Sequence, residues 1–150
     1  MLSLFIVALA GALALIGLGG GLYETSVVDR SWPDKPELIQ PGRGGLSRRY
    51  FWIPAHTAFE IALIAALVAT WSAVTVREWL LIALVSHVVM RLWSAFDFIP
   101  KALSFEKADP ATIAPDAARR WTRRSRLRLP LDLLTCIAVL AALIDLATQT

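Results

Sequence analysis

Residues 51–98 read FWIPAHTAFEIALIAALVATWSAVTVREWLLIALVSHVVMRLWSAFDF. Two apolar runs lie within this stretch, 51–76 and 79–98. Each is long enough to cross about 30 Å of hydrocarbon at about 1.5 Å per helical residue. The short break at Val76–Arg77–Glu78 folds them into an antiparallel hairpin. The first run carries His56 and Glu60 and the second His87 and Arg91, each pair spaced i, i+4. A charge at the bilayer centre costs about 2.5 kcal/mol or more, so such groups face one another or a polar cavity.

Outward from the hairpin, the composition is that of a membrane protein. The 150-residue chain is 57% hydrophobic and only 18% charged, with a mean hydropathy of +0.59. Two further apolar segments, 3–24 and 129–147, flank the hairpin. The expected architecture is all-α: one integral membrane four-helix bundle over residues 1–150. The first segment lacks a basic flank and exceeds the usual ~7–15-residue core of a secretory signal, so it reads as a retained helix. The single cysteine, Cys136, excludes an internal disulfide and reads as a packing residue.

Charge placement orients the bundle. Basic residues crowd the loops 25–50 and 99–128, with only Arg77 on the opposite side. The positive-inside rule makes both loops cytoplasmic and both termini extracytoplasmic, as in a multi-pass protein of the bacterial inner membrane. Trp52 and Trp93 mark the inner interface and Trp71 and Trp79 the outer.

The connecting segments differ in character. Loop 25–50 is punctuated by Pro33, Pro36, Pro41, Gly42, Gly44 and Gly45. It reads as turns, with Trp32 and Val27–Val28 suited to folding back as a lid. In the other, PDAARRWTRRSRLRLP predicts a helix with Asp116 near its N-cap. Six arginines surround Trp121 there. Beside a membrane span, residues 116–128 are expected to lie on anionic lipid headgroups rather than nucleic acid. Gly17 and Gly21 form a GxxxG suited to close helix packing or to a homo-oligomer.

Depth along the helices predicts how the polar residues layer. Glu60 and His87 are each about 15 Å in from the cytoplasmic side, and His56 and Arg91 about 9 Å. The expected layers are therefore Glu60 with His87 and His56 with Arg91. Tyr23, Glu24, Trp52, Trp93, Asp97 and Asp132 are expected at the mouth, where a substrate would bind. His56, Glu60 and His87 offer nitrogen and oxygen ligands for iron, copper or zinc. The same histidines could instead act as acid and base without metal, with Arg91 stabilising an anion. Bis-histidine haem is disfavoured by the unequal depths. As a purely structural alternative, such contacts fix helix register.

GLYET at the end of the first span, IPAH at the start of the second, DFIPKAL after the third and WTRRSRLR before the fourth carry a family likeness. In these stretches the chain resembles the small four-span membrane proteins of the anthrone-oxygenase-like family. The resemblance implies oxidation of a hydrophobic, often aromatic, molecule, with His56 and His87 among the polar positions that carry it. The functional expectation is an oxygenase-type membrane enzyme acting on a lipophilic small molecule, with His56, Glu60, His87 and Arg91 catalytic. The alternatives are a proton-coupled transporter using Glu60 and His87 as its relay, or a membrane anchor for a larger complex.

Overall fold

The computed structural model describes residues 1–149, and the chain is helical with no strand among them. Four helical rods are long and apolar enough to cross a membrane. They are α1 (Leu2–Ser31), α2 (Arg49–Ala69), α3 (Val74–Lys107) and α4 (Pro115–Thr148). The protein is a multi-pass membrane bundle.

Both α3 and α4 have 34 residues, about 51 Å of helix at 1.5 Å per residue and well beyond the ~30 Å hydrocarbon core. The excess lies at the end carrying the basic segments, called the basic end below. Residues 99–107 and 115–128, expected within a loop, therefore continue the third and fourth spans. Each junction is irregular at a proline. In α3 a π turn over Ser94–Phe98 precedes Pro100, and in α4 a 3-10 turn over Arg126–Arg128 precedes Pro130. A proline has no N–H to donate one turn back, so the ladder shifts register there. A third irregularity, the π turn Glu24–Val28 of α1, coincides with Thr25, whose hydroxyl donates to the Gly21 carbonyl at 2.9 Å. Because α2 begins at Arg49, Pro54 sits in its second turn.

Around the bundle, α3 packs along α4, α4 along α1, and α1 along α2; of the four neighbouring pairs, α2 and α3 touch least. The hairpin that dominates the sequence is thus splayed, and its seam is where the polar groups lie. The half of the bundle away from the basic end is an apolar core. It is built from Val7, Ala10, Leu63, Ala66, Val76, Leu80, Val139 and Ala142. The many alanines let helix backbones approach closely where lipid supplies no hydrophobic drive.

A second core caps the basic end, formed by Trp32, Ile39, Phe98, Ile113, Ala118 and Trp121. Ala118, Trp121, Thr122 and Ser125 are the buried stripe of the α4 extension, at helical spacing. Trp121 therefore packs on Trp32 (ring centroids 5.8 Å apart) instead of anchoring in lipid. The loop between α1 and α2 folds back, as its buried Trp32 and Ile39 require. Gln40 ties it to α3 by donating to the carbonyls of Phe105 (2.8 Å) and Ala108 (2.9 Å). The loop turns back at Gly44, whose φ of +85° is open to glycine at little cost.

Candidate functional site

Beneath this cap, between α2 and α3, lies a cavity of about 430 Å³. Its wall combines apolar surface from Trp52, Ile53, Met90, Phe98, Ile99 and Leu103 with eight ionisable side chains contributed by all four helices and the loop before α2. His56 and Arg91 are in its wall, together with Glu24, Trp52 and Asp132.

His56 is placed by a chain of contacts. Glu24 Oε2 on α1 accepts a hydrogen bond from Trp52 Nε1 at 2.6 Å. The Trp52 ring in turn stacks on His56, with centroids 5.2 Å apart and planes 20° from parallel. One helical turn separates the two residues on α2, so both project from the same face. His56 makes no hydrogen bond among the described residues, which leaves its ring nitrogens available to a ligand.

Glu60 and His87 meet, as the sequence predicts, with His87 Nε2 at 3.2 Å from Glu60 Oε1. Phe59 packs edge-on against the His87 ring at 4.9 Å. The second expected layer is different. Arg91 turns to Glu60, its Nε donating to Oε1 at 3.1 Å, and does not pair with His56. Because α2 and α3 splay, Arg91 reaches along the seam to a carboxylate one turn deeper. Its terminal nitrogens have no partner among the described residues, and the side chain lines the cavity. Glu60 is a positioning residue: it holds Arg91 and His87 from outside the pocket.

The candidate metal set of His56, Glu60 and His87 comes close without forming a site: the His56 and His87 rings are 5.5 Å apart and His87 meets Glu60. No three His, Cys, Asp or Glu side chains among the described residues are arranged to hold an ion. Glu60 Oε1 already receives His87 and the Arg91 guanidinium, and a fixed cation there opposes a second one.

The mouth differs most from expectation. Asp97 faces away from the cavity, paired with Lys101 and Arg124. The pocket face of α3 runs through Met90, Arg91 and Ser94, then Phe98, Ile99, Ala102 and Leu103. The π turn inserts one residue into that face and rotates Asp97 off it. Trp93 packs into the second core against Phe98 at 5.4 Å, and Tyr23 is 61% exposed outside the pocket.

Sequence reasoning missed Arg48, Ser94, Glu106 and Arg128. Arg48 bridges Glu24 at 3.3 Å and Glu106 at 3.2 Å, and Arg49 adds a contact to Glu106 at 3.4 Å. This ion chain links α1, the start of α2 and the end of α3 at the basic end. Arg128 donates to Ser94 Oγ at 2.8 Å and lies over the Phe98 ring at 4.5 Å. Its i, i+4 spacing to Asp132 was the available signal, hidden inside a run of arginines that reads as one basic patch.

No protein-family model matches this chain, and neither a curated protein nor a solved structure does.

Proposed function

We propose that this protein is an integral membrane enzyme of the oxygenase type. It acts on a lipophilic small molecule held in the pocket between α2 and α3. The observation that carries this reading is a histidine with no hydrogen-bond partner among the described residues, in the wall of a pocket that also holds a guanidinium with unused donors. Such a pair suits abstraction of a proton from an acidic C–H or a phenol. His56 takes the proton, and Arg91, anchored by Glu60, stabilises the enolate or phenolate in low dielectric. In the oxidation of a methylene, one methylene and one dioxygen become one ketone and one water. Both C–H bonds of that carbon break and a C=O bond forms. The carbanion supplies the electrons, dioxygen supplies the new carbonyl oxygen, and its second oxygen leaves as water with the two hydrogens.

The oxidative half of this reading rests on the resemblance of GLYET, IPAH, DFIPKAL and WTRRSRLR to the anthrone-oxygenase-like proteins. By the positive-inside rule the pocket lies in the cytoplasmic half of a bacterial inner membrane. The exposed arginines of the α4 extension face anionic headgroups there. A proton-coupled carrier is less well supported. The apolar core of the other half gives the Glu60–His87 pair no polar continuation across the bundle.

The test is turnover in detergent. Purified protein is offered hydrophobic aromatic compounds bearing an acidic methylene, with oxygen uptake and product mass recorded. One dioxygen consumed per ketone formed, lost in His56→Ala, is expected. Proton flux in liposomes without any turnover would favour the carrier.

A further inference from the structure

The cation in the pocket wall opposite His56 forms no ion pair among the described residues. Arg128 donates from Nε to the Ser125 carbonyl at 3.2 Å, from Nη1 to Ser94 Oγ at 2.8 Å and from Nη2 to Ser125 Oγ at 2.6 Å. All three acceptors are neutral. A charge held in a low-dielectric wall without an opposite charge in contact is costly unless a partner arrives. Arg91 flanks the same surface: Ser94 follows it by three residues on α3, which puts the two on one face, and Ser94 is the residue that Arg128 contacts. Two guanidiniums with unused donors thus border one part of the pocket.

The carboxylates nearby are already committed. Glu24 and Glu106 are held by Arg48 and Arg49, and Glu60 by His87 and Arg91. Two carboxylates are exceptions: Asp29, buried outside the pocket, accepts only from Trp32 Nε1 among the described residues, and Asp132 lies one turn beyond Arg128. Asp132 lines the pocket without an ion pair or hydrogen bond among the described residues. Toward the seam the wall becomes apolar and open, through Ile53 (63% exposed), Ile99 (43%) and Leu103 (38%).

We propose that the pocket's ligand is a monoanionic amphiphile, its head held by Arg128 beside Arg91 and its apolar part lying along Ile53, Ile99 and Leu103. A guanidinium fork matches a carboxylate in two hydrogen bonds. A phospholipid phosphodiester presents the same charge and is the other source of this chemistry. This proposal deepens the reading above by naming the substrate class, and it rests on the same pocket.

The test is equilibrium binding to the full-length protein in a non-ionic detergent, with no turnover required. The probe is a fluorescent long-chain carboxylate, compared with its methyl ester. The carboxylate is expected to bind about tenfold more tightly, a difference of about 1.4 kcal/mol. Arg128→Gln should abolish that preference and Arg128→Lys should retain most of it. Asp132→Asn should increase it, because the one unpaired carboxylate facing the head is removed. Taking the ratio within each variant cancels any loss of folded protein. Displacement by unlabelled fatty acid at low occupancy of phosphatidylglycerol assigns the carboxylate source, and the reverse order assigns the phosphodiester. Equal binding of acid and ester, or a preference that survives Arg128→Gln, overturns the proposal. The outcomes separate from those for catalysis. A preference without any turnover would sink the enzyme reading alone, and turnover of neutral compounds without a preference would sink this one alone.

Discussion

Trp52 and His56 stack one turn apart on α2, and the indole that supports the imidazole is itself held by Glu24 through a 2.6 Å hydrogen bond. The orientation of His56 is therefore set from α1, the helix that packs along α2. Trp52→Phe keeps the stacking ring and removes the donor to a carboxylate, a bond worth about 1.5–3 kcal/mol. We expect a lower unfolding midpoint in detergent and a fall in turnover greater than any change in substrate binding. Unchanged stability would show that the Glu24 contact does not hold the indole.

Glu60 accepts from both His87 and Arg91 within the α2–α3 seam. Replacing it with leucine leaves Arg91 without an anion in a poorly hydrated place. The expected loss is about 1–2 kcal/mol, the range for polar contacts between membrane helices. The double change Glu60→Leu with Arg91→Leu should recover part of it. A double-mutant cycle from unfolding in mixed micelles measures the coupling, and strictly additive losses would deny the pair.

The glycines of α1 are unequal. A Cβ at Gly20 would run into the Phe51 ring, whereas one at Gly17 meets nothing within 4 Å. Gly20→Ala requires the half-exposed Phe51 ring to swing aside, with a cost of about 1 kcal/mol. Gly17→Ala should be neutral or mildly stabilising, since alanine is the better helix former. Thermal unfolding of the two variants distinguishes them.

Arg120, Arg123 and Arg126 are exposed on the α4 extension and pair with no carboxylate among the described residues. Arg119 and Arg124, by contrast, are held by Asp34 and Asp97. If the three free arginines meet headgroups, each contributes about 1 kcal/mol toward anionic lipid. Changing all three to glutamine should remove most of the enrichment of phosphatidylglycerol over phosphatidylcholine retained on the purified protein. An enrichment that persists would place the lipid contacts elsewhere.

The four spans are legible in the sequence because apolar length is a strong signal, and the Glu60–His87 contact because both residues share a depth. Depth alone does not place Arg91. Its long side chain reaches one turn along a splayed seam, and the splay depends on how α1 and α4 pack rather than on residues 51–98. Asp97 escapes a sequence reading for a related reason: a uniform helical register points it into the pocket, and the π turn over Ser94–Phe98 removes it. The proline that interrupts the ladder, Pro100, is visible in the sequence, but the direction of the resulting shift is not. Trp121 illustrates the limit of composition. Among six arginines it reads as a lipid anchor, and only the return of Trp32 and Ile39 over the bundle buries it.

The central claim is that His56 is a base acting on a ligand whose anion Arg91 stabilises. Anaerobic hydrogen–deuterium exchange tests it without requiring oxidation. A lipophilic compound with an acidic methylene is incubated with the protein in heavy water under argon, and deuterium at that carbon is followed by mass spectrometry. The account predicts protein-dependent exchange that falls about 100-fold or more in His56→Ala, the usual contribution of a general base, and also falls in Arg91→Gln. Exchange no faster than in buffer, or equally fast in His56→Ala, would contradict it.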